Sequence, residues 1–206
     1  MSQLLKKILK YVSSHNSQLH KLGISVTGDS SLILQCVSSC HALTSLKLSV
    51  YPKGRCMLEK TLFPKSLNLP TLTSFDLTNF AFCGDESSRV EPILAFKMLN
   101  SLVIRNCELK DANVFVISIE YLVDLSIYNR SSELAKSATI ELCAPSLCTF
   151  NYIGNTSLKI CGRGFPSVAI GTLFRYVLMF PHFYFIFFLR FSHHFLIYQR
   201  VSVLLA

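Results

Sequence analysis

The sequence predicts an α/β solenoid with a parallel sheet on its concave side, an irregular convex side and an apolar C-terminal tail. Three observations carry this reading. A short apolar phrase recurs six times in one frame between positions 17 and 155. Its first fixed position returns at a near-regular interval, at Leu19, Leu43, Leu72, Leu99, Leu122 and Leu147. The hydrophobic excess of the 206-residue chain is concentrated after position 164.

The copies are SQLHKLGISVT (17–27), HALTSLKLSVY (41–51), PTLTSFDLTNF (70–80), KMLNSLVIRNC (97–107), EYLVDLSIYNR (120–130) and PSLCTFNYIGN (145–155). Each reads x-x-L-x-x-L-x-L-x-x-x, and every fixed position is apolar. The fixed residues are Leu19, Leu22 and Ile24, then Leu43, Leu46 and Leu48, then Leu72, Phe75 and Leu77. They continue as Leu99, Leu102 and Ile104, then Leu122, Leu125 and Ile127, then Leu147, Phe150 and Tyr152. All five steps between successive first leucines fall within the period of leucine-rich repeats, roughly 20–29 residues. Strands of an antiparallel sandwich would not share one phase at this period. Alternate side chains of a strand point to opposite faces, so the last two apolar residues of each copy point inward. A single copy cannot bury that face alone, so neighbours must stack.

The remaining elements follow in chain order. Leu4, Leu5, Ile8, Leu9 and Val12 form a helical stripe, which predicts a capping helix within residues 1–16. With Lys6, Lys7 and Lys10 on its other face, the alternative is an interfacial membrane helix. SSLILQCVSSC (30–40) has apolar residues at helical spacing and predicts a short helix. EPILAF (91–96) opens with an acid and a proline, a helix-start signature. VFVISI (114–119) and TIELCA (139–144) read as convex-side strands. Such repeats usually place Asn or Cys three positions after the last apolar residue. Its side chain satisfies backbone groups where the strand bends away. Cys107 and Asn155 fit that ladder, and Thr27 can serve, but Tyr51, Phe80 and Arg130 do not. Irregular convex turns are therefore expected. The repeat domain is assigned to residues 17–163 and the tail to 164–206.

Composition separates these parts. Residues 165–206 are mostly hydrophobic and hold nine of the 16 Phe, with three Arg and no acid. The preceding residues have the hydrophobic content of an ordinary globular domain. Residues 176–189 carry no formal charge and lie between Arg175 and Arg190. A spanning helix needs about 20 residues, and extension to Ile197 would bury Arg190. The tail thus reads either as a membrane segment through 176–197 or as sequence foreign to the repeats. The net charge of +8 includes no basic stripe, so nucleic acid is not an expected partner. MSQLLKKILKYVSS lacks the layout of a secretory signal. The eight cysteines then read as thiols in a reducing compartment, cytoplasmic or nuclear, with a membrane location as the alternative.

The runs CVSSCHALTSLKLSVYP, LFPKSLNLPTLTSFDLTNFAF and IELCAPSLCTFNYIGN resemble plant F-box/leucine-rich-repeat proteins, of the F-box/FBD type, over residues 10–162. In that family an N-terminal F-box recruits a cullin-type ubiquitin ligase through an adaptor, and the repeats bind the protein to be modified. The chain starts only a short way before its first copy of the phrase, so the F-box is expected to be absent. The resemblance implies a recognition module, coupled to the ligase adaptor only if an F-box is supplied elsewhere. The alternatives are a membrane-anchored repeat protein and a truncated product without activity of its own.

Candidate binding residues are the outward strand positions on the concave face. Lys47, Asp76, Arg105, Tyr128 and Asn151 lie between or just after the buried positions, and Asp124 flanks them. Arg105 and Tyr128 are of the types that most often carry interface energy. Cys36, Cys40 and His41 lack a fourth zinc ligand at known spacing, and they read as packing residues. No nucleophile motif or phosphate-binding loop occurs. Neither enzyme activity, a metal nor a cofactor is expected. Residues 1–163 are expected to unfold cooperatively without the tail in a urea titration. A gradual loss of circular dichroism would count against the repeat domain.

Overall fold

The computed structural model describes residues 3–27, 31–51, 60–64, 67–84, 87–129, 138–153, 157–160, 174–180 and 183–189. Its elements begin with α1 (Gln3–Ser14), β1 (Lys21–Thr27), α2 (Ser31–Ser38), β2 (Ser45–Tyr51), β3 (Thr61–Leu62), β4 (Ser74–Thr78) and β5 (Phe80–Cys83). Next come β6 (Arg89–Val90), β7 (Ser101–Arg105), β8 (Glu108–Lys110), β9 (Val114–Ser118) and β10 (Asp124–Tyr128). The last are β11 (Thr139–Cys143), β12 (Thr149–Ile153), β13 (Ser157–Ile160), β14 (Phe174–Phe180) and β15 (Phe183–Leu189).

Six successive coils each place one strand in a parallel sheet of order β1-β2-β4-β7-β10-β12. Their return paths build two further parallel sheets, β3-β5-β8 and β6-β9-β11-β13. The result is a solenoid-like stack, mostly β, with two helices among the described residues. Its register aligns the apolar phrase coil by coil. Leu22, Leu46, Phe75, Leu102, Leu125 and Phe150 form one column. Ile24, Leu48, Leu77, Ile104, Ile127 and Tyr152 form the next. Every fixed residue from Leu43 to Tyr152 is at most 5% exposed. Leu19 and Leu22 pack half-buried at the first coil.

One backbone device repeats at the strand entrances. Thr44 and Ser45 both donate their N–H to the carbonyl of His20, at 2.8 and 3.0 Å. Thr73 and Ser74 do the same to Thr44, Asn100 and Ser101 to Thr73, Val123 and Asp124 to Asn100, and Cys148 and Thr149 to Val123. The exits point the other way. Asn79, Asn106 and Asn129 donate to the carbonyls of Arg105, Tyr128 and Ile153 in the following coil. Asn79 and Asn106 adopt φ of 63° and 48°, a left-handed conformation that asparagine tolerates better than most residues.

The interior behind β2, β4 and β7 is rich in phenylalanine. Phe63 meets Phe75, Phe80 and Phe82 at ring distances of 6.0, 5.9 and 5.5 Å. Phe75 contacts Phe96, and Phe82 contacts Phe115. Phe80, a misfit for the polar ladder, is thus a core residue, and Asn79 beside it makes the turn.

The helices at 3–14 and 31–38 fall where the apolar spacing puts them, and α1 packs against α2 with Val12 buried. VFVISI and TIELCA supply β9 and β11. The helix expected from EPILAF is replaced by turns. Leu94 and Phe96 donate back to the carbonyls of Glu91 and Ile93, and only Ile93 and Phe96 of this run are buried. Two anchored side chains in so short a run cannot offset the cost of nucleating a helix.

In the tail, β14 and β15 pair as an antiparallel hairpin from Phe174↔Leu189 to Phe180↔Phe183. The described part of 176–197 is therefore extended rather than helical, in keeping with its aromatic and β-branched content. No helix among the described residues is long and apolar enough to cross a membrane.

Two glycines contrast. A Cβ on Gly84 would overlap the Asp111 carbonyl and come within 2.7 Å of the Ala112 Cβ, whereas one on Gly23 meets nothing within 4 Å. Gly84→Ala is expected to cost about 1–3 kcal/mol by overpacking. Gly23→Ala should be neutral or stabilise by up to about 1 kcal/mol. Urea midpoints of the two variants test this ordering.

Candidate functional site

The outward face of the six-stranded sheet is set by parity. Once the inward columns are fixed, the residues between them must face out. The central outward row is Gly23, Lys47, Asp76, Val103, Ser126 and Asn151. One row towards the strand exits lie Ser25, Ser49, Thr78, Arg105, Tyr128 and Ile153, of which Ser49 and Thr78 are buried. Towards the entrances lie Lys21, Ser45, Ser74, Ser101, Asp124 and Thr149.

Four of the candidate residues are linked side by side across four strands. Lys47 Nζ lies 3.6 Å from Asp76 Oδ2. Arg105 donates through its guanidinium to Asp76 Oδ1. The same guanidinium lies 5.2 Å from the centre of the Tyr128 ring, a cation–π contact. Asp76 is therefore shared by two cations, and Arg105 is held between a carboxylate and an aromatic face. Exposure ranks these groups. The Asp76 side chain is 19% accessible, Arg105 38% and Lys47 62%. Pairs this exposed add little stability. Their effect is to fix the direction in which the Arg105 donors point.

The other two candidates stand apart from this chain. Asn151 Nδ2 donates to Ser126 Oγ at 3.3 Å, one strand away. Asp124 is exposed at the entrance of β10, beside Ser101 and Thr149. Two ion pairs on other faces escape sequence reasoning, Lys60 with Glu108 at 3.1 Å and Arg89 with Glu141 at 2.6 Å. Arg89 reaches past β9 to its partner, because Val116 occupies the register position beside Glu141. No local pattern signals contacts between residues so far apart in the chain.

Of the ladder residues, Asn155 lies outside the described residues. Cys107 is buried at the corner after β7, and its thiol lies 3.4 Å from the Arg105 carbonyl. Burial pushes this thiol up to about 12 from its ordinary value near 9. Hydrogen bonding to the Phe80 backbone, the charge of Lys60 and further backbone contacts at Arg105 and Asn79 oppose that rise. Cys40 is likewise raised by burial, and its thiol meets the Cys36 carbonyl at 3.5 Å.

A shallow, partly open pocket of about 40 Å³ is lined by Phe82, Ile104, Phe115, Ile127 and Ile140, with Glu108 and Asn129 among its polar groups. Its lining includes Asn129 and Ala138, on either side of 130–137, which lie outside the described residues.

A folded pKa raised above the unfolded one means that the folded state holds the proton more tightly. The contribution of the Cys107 thiol is then fully present below about pH 9 and is lost as pH rises towards 12. Between about pH 8 and pH 10.5, urea midpoints should fall further for the native chain than for Cys107→Ala. Equal falls would remove the assignment.

No protein-family model, no curated protein and no solved structure matches the chain.

Proposed function

We propose that the chain is a leucine-rich-repeat recognition module that holds a protein partner on the outward face of its six-stranded sheet. The observation that carries this reading is the linked row Lys47–Asp76–Arg105–Tyr128. It sets an arginine and a tyrosine, the usual anchors of an interface, on adjacent strands with the arginine already oriented. Orientation before binding lowers the entropy lost on association. The leucine-rich-repeat assignment is supported by six phrases whose strand apolar positions fall into register.

The resemblance to F-box/leucine-rich-repeat proteins supports a partner that is itself a target for ubiquitination. Coupling to a ligase adaptor then requires an F-box on another chain or another segment. On this reading the chain is not an enzyme and acts in the cytoplasm or nucleus.

The test is affinity capture followed by binding titration, comparing the native chain with an Arg105→Ala/Tyr128→Ala variant of equal unfolding midpoint. A specific partner should lose about 30-fold or more in affinity, in line with hot-spot truncations. Partners whose capture ignores both substitutions would place recognition elsewhere on the molecule.

A further inference from the structure

On the premise that the outward face binds a protein, we infer that its β1–β7 half receives an extended acidic segment, with one carboxylate seated over Gly23 beside Lys47. Charge is divided unevenly along the face. In the three outward rows, β1, β2, β4 and β7 carry Lys21, Lys47, Asp76 and Arg105, an excess of two positive charges. Those of β10 and β12 carry Asp124 alone, one negative charge. An acidic segment is attracted to the first half and repelled at the second, which gives it a place on the face.

Gly23 supplies the seat. It is the one position of the central outward row without a side chain, and a Cβ there has open space around it. Its register neighbour Lys47 is the least committed member of the linked row. It is 62% exposed and 3.6 Å from Asp76, which Arg105 also engages. Neighbouring strands lie about 4.8 Å apart, so a carboxylate over Gly23 is within ion-pair reach of the Lys47 ammonium. Lys47 would then stand between Asp76 and the incoming acid. Lys21 projects from the same face of β1 and makes no ion pair among the described residues.

The rest of this half favours a polar partner. Val103 is the only aliphatic residue in its outward rows, set among Ser25, Ser45, Ser74 and Ser101. Asp76 at its centre disfavours a continuous phosphodiester backbone, whereas spaced carboxylates can straddle it.

The test uses the full chain and a fluorescently labelled octaglutamate peptide, read by anisotropy at low salt, with octaglutamine and an oligothymidylate for comparison. Octaglutamate should bind, and added salt should weaken it. Gly23→Glu, which places a carboxylate of the chain itself over the seat, should lower affinity about tenfold. So should the paired variant Lys21→Glu/Lys47→Glu, which keeps the test open if Gly23→Glu misfolds. Lys7→Glu/Lys10→Glu changes net charge by the same amount on α1 and should shift binding less than about twofold. An equal loss in that control would reduce the effect to net charge and overturn the seat. Equal binding of octaglutamine, or tighter binding of oligothymidylate, would overturn the acidic partner. If a captured protein depends on Arg105 and Tyr128 while octaglutamate fails to bind, the acidic chemistry falls and the recognition face stands.

Discussion

A single backbone carbonyl, shared by two N–H groups of the next coil, is the joint on which the stack depends. It recurs at His20, Thr44, Thr73, Asn100 and Val123. Each joint fixes where the following strand begins, and therefore which of its side chains turn inward. A slip of one residue would carry the Leu, Ile and Phe columns to the solvent side. The asparagine exits complete the accounting, each handing an N–H forward to the next coil. Between entrance and exit the parallel ladders consume the backbone groups, which would be costly to bury unpaired.

The phase of the six strands was legible because it is written locally. Three apolar residues in one short phrase are enough to orient a strand, and repetition removes the ambiguity of any one copy. The apolar runs of β9 and β11 were legible for the same reason. EPILAF misled because acid and proline are signals of a helix start, while its length and its two anchors argue for a turn. Phe80 misled in a related way. Its position suggested a failed polar ladder, although asparagine stands second after the last apolar position in three successive copies, at Asn79, Asn106 and Asn129. That pattern was the available sign of where the corner lies.

The outward candidates were legible as a set, since parity alone places them, but their linkage was not. Whether Arg105 meets Asp76, Tyr128 or both depends on the lateral register of three coils whose phrases open at Pro70, Lys97 and Glu120. It depends also on the rotamers chosen there. The same limit hid the Lys60–Glu108 and Arg89–Glu141 pairs. These contacts belong to packing between coils, which periodicity along one coil does not encode. The exposed ones among them contribute least to holding the fold, so the outward face is weakly coupled to the columns that keep the stack upright.

The alternation along each strand has a consequence for descent. Inward residues pack against their neighbours in the coils on either side, whereas outward ones meet only one another and solvent. Substitutions at positions such as Lys47 or Arg105 can therefore accumulate without a compensating change in the core, and length changes can be absorbed in the return paths. A lineage built on this scaffold is free to rewrite its outward face one side chain at a time while every intermediate remains foldable.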